Sequence, residues 1–210
     1  MKPRYYFILI IAVLGLILLR VFDRGEQRQD DGSFTVIRVV DGDTVELDGR
    51  GTVRFLFIDT PEKGEMYYDS AKIFLQETIL GKRVSVVPGS RARDSYGRLL
   101  GFIYLDTVLI NLELVNRGFA GLYLYPENMD NQLLVERFIE AQRLSIDNNR
   151  GIWSLPHVEE EFYIGNVHSL RFHRPDCTSI RRMKSDNSVR FDSRTEALYQ
   201  GYSPCRNCKP

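Results

Sequence analysis

Two acidic turns carry the first candidate chemistry. Asp41 and Asp43 leave one tight turn, Asp41-Gly-Asp43, and Asp59 and Glu62 leave another, Asp59-Thr-Pro-Glu62. Four carboxylates gathered at one end of a sheet repel one another unless a cation joins them. Oxygen donors with no histidine close by favour a hard ion, Ca²⁺ or Mg²⁺, over zinc. On this reading Asp43 and Asp59 are ligands and Thr60 adds its backbone carbonyl. Arg54 stands in the apolar run Thr52–Ile58, where an arginine is expensive to bury without a partner. Arg98 closes the turn Asp94-Ser-Tyr-Gly-Arg98. Two guanidinium groups opposite a divalent ion suit a phosphoryl group, because each donates bidentately to phosphate oxygens and stabilises charge as it develops. Taken singly, each motif has an ordinary structural reading. Asp-Gly is common hairpin chemistry, Asp-Thr-Pro-Glu suits a helix N-cap, Arg54 suits an edge strand and Asp94–Arg98 suits a hairpin loop.

A second constellation lies near the C-terminus. His173-x3-Cys177 and Cys205-x2-Cys208 place four soft or borderline ligands within the last 50 or so residues. The segment has few aliphatic residues and is expected to lack a core of its own, so a structural Cys₃His zinc would supply its stability. Three unrelated cysteines and a surface histidine, or a Cys205–Cys208 disulfide, are the competing readings. His168 is a weaker candidate ligand.

The elements that must hold these groups are short. Ser33–Val40, Thr44–Leu47, Thr52–Ile58, Arg83–Val87, Leu99–Leu105 and Phe119–Tyr125 read as strands, the third stopped before Pro61. Ala71–Leu80, Leu109–Arg117 and Asn131–Asn149 read as helices, and Trp153 closes the core. This pattern points to a small β-barrel or sheet with packed helices, with an OB-like barrel as one solution.

The chain has 210 residues with 28 basic and 28 acidic groups, so bulk positive charge is not what would hold a nucleic acid. Residues 33–156 carry 14 basic and 17 acidic groups; residues 157–210 carry nine and seven. Residues 165–194 form a basic block of seven basic and three acidic groups, with a solvated face as its plain explanation. Residues 5–19 are an unbroken apolar run behind Lys2 and Arg4, extended by Val21 and Phe22 around Arg20. No small-residue cleavage site follows. The expectation is a transmembrane signal-anchor at 1–22, contacting the membrane through residues 5–22, with a cleaved secretory signal as the alternative. A polar linker at 23–32 then tethers the body, placed outside the cell although Arg20, Arg24 and Arg28 run against the positive-inside rule.

Three motifs in register resemble the staphylococcal (micrococcal) nuclease family: Val40-Asp-Gly-Asp-Thr-Val45, Arg54-Phe-Leu-Phe-Ile-Asp-Thr-Pro-Glu62 and Asp94-Ser-Tyr-Gly-Arg98. Gly81-Lys82, Leu112–Gly118 and Gly151-Ile-Trp153 fit as well. The resemblance implies a mainly β fold with α (α+β): a five-stranded OB-fold barrel with packed helices, over residues 33–156. It implies a Ca²⁺-dependent phosphodiesterase that hydrolyses DNA and RNA at the P–O5′ bond and leaves a 3′-phosphate. In that reading Asp43, Asp59 and the Thr60 carbonyl hold Ca²⁺, with Asp41 behind them. Glu62 is the general base, Arg54 and Arg98 bind the phosphate, and Tyr96, Tyr123 and Tyr125 contact the nucleotide. Ser95 replaces a frequent lysine, and the tyrosines after Phe119 need a one-residue gap to align. With the net negative charge of residues 33–156, weaker and more salt-sensitive substrate binding is expected. Within an expected zinc-binding module at 157–210, about residues 163–210 resemble the Ada-type metal-binding module through Gly165–Cys177, Phe191–Ala197 and Gly201–Cys208, with His173 where a fourth cysteine could stand. The alternatives are an inactive OB-fold that only binds nucleic acid or protein, and a zinc adaptor with the barrel as spacer. No protein partner is inferable.

Overall fold

The computed structural model describes residues 32–181 and 183–210. The expected anchor at 1–22 and all but the end of the linker lie outside the described residues. Among the described residues no helix is long and apolar enough to cross a membrane.

The alternating pattern of the N-terminal half folds as a meander. Strands β1 (Ser33–Val39), β2 (Thr44–Leu47) and β3 (Gly51–Phe55) pair antiparallel in succession, with Thr44 opposite Arg54. A three-residue strand β4 (Phe57–Asp59) leaves the sheet, and helix α1 (Tyr68–Ile79) follows. Strand β5 (Arg83–Arg93) runs well beyond the Val87 limit expected from sequence, through an irregularity between Pro88 and Arg93 that bends it. Strands β6 (Leu99–Leu105) and β7 (Val108–Leu109) complete the sheet order β3-β2-β1-β5-β6-β7. Parallel pairing of β3 with β6, Arg54 opposite Leu100, closes β1, β2, β3, β5 and β6 into a five-stranded barrel. Closure removes the sheet edges and fixes β3, which carries Arg54, between two neighbours.

Helix α2 (Ile110–Asn116), strand β8 (Gly121–Tyr123) and helix α3 (Gln132–Asp147) pack on the barrel. Strand β8 pairs with β4, Asp59 opposite Gly121, and is shorter than the seven-residue strand the sequence suggests. The core contains Val36, Val45, Val53, Phe55, Phe57, Ile103, Leu114 and Phe138, all essentially inaccessible. The buried Asn111 stitches α2 to the barrel: its Oδ1 accepts from the Ile103 N–H, and its Nδ2 donates to the Leu56 and Gly101 carbonyls.

The C-terminal segment has a second sheet, formed by β9 (Tyr163–Asn166), β10 (Arg171–His173), β11 (Ser188–Phe191) and β12 (Ser203–Pro204) in the order β11-β9-β10-β12. Helix α4 (Arg194–Tyr199) covers it. The expectation that this segment lacks a core is corrected. Tyr163, Phe172, Phe191, Ala197, Leu198 and Tyr202 form one, built on aromatic rather than aliphatic area, and Trp153 packs here instead of on the barrel core. Gln142 of α3, fully buried, accepts from the Leu122 N–H at 2.8 Å and donates to the Leu198 carbonyl at 2.8 Å. Arg143 donates to the Tyr199 carbonyl, and the Tyr199 hydroxyl bonds Asp147. These contacts fix the C-terminal segment against the barrel's helix.

Candidate active site

The β1–β2 turn brings Asp41 and Asp43 to one end of the barrel. It is tightened by the Asp43 N–H donating to Asp41 Oδ1 at 3.1 Å. Gly42 sits where a side chain has no room: a Cβ would lie 2.7 Å from both Ala71 Cβ and Thr60 Oγ1. Helix α1 and the Asp59-Thr-Pro segment therefore press directly on this turn.

Asp59 reaches the same place through an unusual backbone. Phe57 has φ 70, a left-handed conformation that a bulky residue rarely adopts. Its ring is pinned by the Phe102 ring at 4.9 Å and the Phe138 ring at 5.3 Å. The chain turns out of β3 there, and β4 delivers Asp59 and Thr60 beside Asp43.

Asp43 is the hub. It is 5% exposed. Its Oδ2 accepts from the Thr60 N–H and the Thr60 hydroxyl, both at 3.0 Å, and its Oδ1 accepts from the Thr44 hydroxyl at 3.1 Å. Arg54 Nη2 lies 2.9 Å from both Asp43 Oδ2 and Asp59 Oδ1, while Nη1 donates to the Phe55 carbonyl. Burial pushes the Asp43 carboxyl up to about 6; Arg54 opposes this, and the neighbouring Asp41 and Asp59 add to it. A buried carboxylate still raised beside an arginine is short of positive charge. Asp43 and Asp59, brought together on Arg54, offer hard oxygen atoms, the donor chemistry of a hard divalent cation.

The other expected residues are placed differently. Thr60 enters as a double donor to Asp43, a role the sequence reading missed. Glu62 is exposed; its N–H donates to Glu65 Oε2 at 2.8 Å, and among the described residues its carboxylate makes no hydrogen bond or ion pair. Arg98 begins the approach to β6, beside β3, but its Nε is held by Asp94 Oδ2 at 2.8 Å and not by the acidic group. Burial raises Asp94, but bonds from Arg98 and the Tyr96 N–H outweigh it and leave its carboxyl below the ordinary range. Asp94 thus shapes the loop that presents Arg98, with Tyr96 83% exposed beneath its guanidinium. Tyr123 and Tyr125 meet edge-on, 5.1 Å apart. Arg171 lies 3.5 Å from the centre of the Tyr123 ring, so that face is covered.

The four C-terminal ligands do converge. The ligand atoms of His173, Cys177, Cys205 and Cys208 all lie within 4.8 Å of one another. Cys177 Sγ is 3.5 Å from His173 Nδ1, close to the ~3.5 Å edge of a tetrahedron with zinc-like bond lengths. Backbone N–H groups of Asn207 and Arg174 point at the sulfurs of Cys205 and Cys208, which favours thiolates. Burial pushes the Cys208 thiol up to about 12; Cys177 is also raised by burial but brought down overall by bonds from Ser179. All three cysteines are free thiols, so the disulfide reading is not what this structure contains.

Two residues that sequence reasoning passed over come from this ligand turn. Arg206, between Cys205 and Cys208, bonds Asp59 through Nη2 at 2.6 Å and Nε at 3.3 Å. Lys209 Nζ bonds Glu65 Oε1 at 2.7 Å. The only sequence signals were a basic residue inside the Cys-x2-Cys and another directly after it.

A family model described as staphylococcal nuclease homologue matches residues 52–155. An uncharacterized endonuclease of Escherichia coli O157:H7 is 37% identical over 123 residues, covering 57% of this chain and 75% of its own. The chain belongs to the staphylococcal nuclease family. A thermonuclease of Staphylococcus intermedius is 29% identical over 160 residues, 70% of this chain and 94% of that enzyme. Endonuclease YhcR of Bacillus subtilis is 30% identical over 200 residues, 80% of this chain, but the match spans only 16% of YhcR. A second model, the metal binding domain of Ada, matches residues 154–210, where the His173 and cysteine cluster lies. In this nuclease-family chain the two matched regions meet in sequence, and in space one places Arg206 on an acidic residue of the other.

Proposed function

We propose that this protein is a Ca²⁺-dependent endonuclease that hydrolyses single-stranded DNA and RNA, with a structural zinc in its C-terminal segment. The observation that carries this reading is Arg54 bridging Asp43 and Asp59 at 2.9 Å inside a pocket of carboxylates. Asp43, Asp59 and the Thr60 carbonyl would hold the Ca²⁺, with Asp41 supporting the turn. When bound, the ion offsets phosphate charge and lowers the pKa of water.

The chain's own residues do the rest. Arg54, held beside Asp43 and Asp59, donates to the non-bridging phosphate oxygens. Arg98 donates from the opposite loop, strengthening its bonds as negative charge grows on phosphorus. Glu62, exposed and free of competing bonds, accepts the proton of the attacking water. The water oxygen bonds to phosphorus as the P–O5′ bond breaks, the departing 5′ oxygen takes a proton from solvent, and the phosphate stays on the 3′ oxygen. Tyr96, exposed on the Arg98 loop, offers a face for an unpaired base, as does the free side of Tyr125.

The proposed organisation is a nuclease domain at 33–156, a zinc module at 157–210 and a membrane anchor at 1–22, with the catalytic domain outside the cell. The homologous endonuclease names and the acidic pocket support the nuclease reading; the anchor rests on sequence alone. Cleavage of denatured DNA, with Ca²⁺ and with chelator, beside Asp43→Ala and Arg98→Ala, tests it. Activity that needs Ca²⁺ and falls in both variants is expected; activity indifferent to chelator and to both substitutions would reject the site. Alkaline extraction of expressing cells tests the anchor, which predicts the chain stays with the membrane pellet and not in the soluble fraction.

A further inference from the structure

We infer that Arg206 is a substrate-phosphate-binding residue of the nuclease site, delivered to it by the metal-ligand turn of the C-terminal segment. The inference rests on the nuclease reading above and adds a third guanidinium to it.

Four observations carry it. First, Arg206 is held at the site by a rigid turn. Cys205 and Cys208 are members of the four-ligand cluster, the Cys205 N–H donates to the Phe172 carbonyl at 2.9 Å, and the Lys209 N–H donates to the Cys205 carbonyl at 2.8 Å. Second, its guanidinium has only part of its hydrogen-bonding capacity in use. Arginine offers five donors, and two are spent on Asp59 while the side chain remains 58% exposed. Third, Asp59 Oδ1 already accepts from Arg54 Nη2. One carboxylate therefore meets two guanidinium groups, of which Arg206 is the exposed one and can turn to a second anion. Asp59 is one of the residues that would hold a divalent ion, and Arg206 would then be repelled from it. Fourth, Arg206 lies 4.7 Å from the centre of the Tyr123 ring, so it keeps an aromatic support when it leaves Asp59. The nearest use for its donors is then a phosphate oxygen of the strand lying over the ion.

The same turn holds the loop that carries the proposed base. Arg206 fastens Asp59 at one end and Lys209 fastens Glu65 at the other, and Glu65 in turn accepts from the Glu62 N–H. The C-terminal segment so returns positive charge to a nuclease domain with more acidic than basic groups.

The test uses the full zinc-loaded chain in a Glu62→Gln background, so that the probe survives. Binding of a short fluorescein-labelled single-stranded DNA is followed by anisotropy in saturating Ca²⁺, across a series of salt concentrations. Each phosphate contact on a single strand contributes a slope of about 0.7 in log K against log salt. Arg206→Gln is expected to weaken binding about tenfold at low salt and to lower the slope by about 0.7, while Arg206→Lys keeps the slope. Zinc content and thermal midpoint are measured on each variant; Arg206 is exposed, and both values are expected to match the parent. An unchanged slope in Arg206→Gln overturns the inference, as does tighter binding, which would make Arg206 a plug in the site. Arg98→Ala in the same background separates the two levels. If it loses slope and Arg206→Gln does not, only the Arg206 inference fails. If the parent does not bind at all, the nuclease reading fails with it.

Discussion

The guanidinium of Arg206 grips both carboxylate oxygens of Asp59, a residue 147 positions earlier in the chain. No local rule sets that contact. It follows from the closure of the barrel, the turn at Phe57, the docking of α4 on α3 and the convergence of four metal ligands. Disturbing any of these is expected to reach the acidic pocket.

Asp43 is where function is bought with stability. Its carboxyl is raised from 3.8 to about 6, chiefly by burial. A raised folded-state value means that the folded chain binds the proton more tightly than the unfolded one. This group therefore favours the fold fully below about pH 4, and that contribution is lost as pH rises through about 6. Asp43→Asn keeps an acceptor for Thr60 and removes the buried charge. In Ca²⁺-free buffer it is expected to stabilise the chain by about 1–3 kcal/mol at pH 7, and by much less at pH 4, while abolishing cleavage. Urea unfolding at the two pH values checks this; equal effects at both would place the strain elsewhere.

Arg54 is expected to behave in the opposite way. Its side chain is 13% exposed and its single positive charge is shared between two carboxylates. Arg54→Ala leaves Asp43 buried and unpaired, and a broken buried pair costs about 3–5 kcal/mol. Thermal unfolding should show that loss, and cleavage should fall by about 10²–10³-fold as a transition-state donor disappears. Raised Ca²⁺ is expected to recover part of the stability and none of the rate.

Gln142 is the polar rivet between barrel and C-terminal segment. Gln142→Leu leaves the Leu122 N–H buried without its partner, at about 1–3 kcal/mol, and removes the inter-segment bond to the Leu198 carbonyl, which keeps the Gly201 N–H at 3.1 Å. Limited proteolysis is expected to open the region after Ile152 first. Digestion indistinguishable from the parent would mean that the docking does not depend on this bridge.

The metal cluster gives a prediction that is independent of cleavage. Native mass spectrometry of the reduced chain is expected to show one zinc, lost in Cys177→Ser and in Cys205→Ser. Hydrogen exchange should then quicken from Tyr163 onward and spare the barrel strands. A zinc-free parent chain with the same protection would refute a structural metal.

Much of the site was legible because its groups leave turns with strong local signatures. Asp41-Gly-Asp43 and Asp59-Thr-Pro declare themselves by spacing, and Arg54 by its presence in an apolar strand. The structure places Arg54 Nη2 2.9 Å from both Asp43 and Asp59. The strand pattern reached a small β-barrel or sheet and the family resemblance implied five barrel strands; the closing pair, β3 with β6, is parallel and joins residues 46 apart. What the sequence hid was long-range or conformational. The left-handed Phe57 carries no glycine to mark it. The C-terminal core was missed because aromatic residues at irregular spacing build it. Arg206 was missed because its partner lies in another sheet, and orientation between two packed units depends on contacts such as Gln142 to a backbone carbonyl, which have no sequence pattern.

The claim beneath all of this is that Asp43 and Asp59 together hold a hard divalent ion. Calorimetric titration of Ca²⁺ into the zinc-loaded full chain measures it directly. One Ca²⁺ per chain is expected, lost in Asp43→Asn and in Asp59→Asn and weakened below about pH 6 as Asp43 takes up its proton. Ca²⁺ binding of the same stoichiometry and affinity in both variants, or none in the parent, would contradict it.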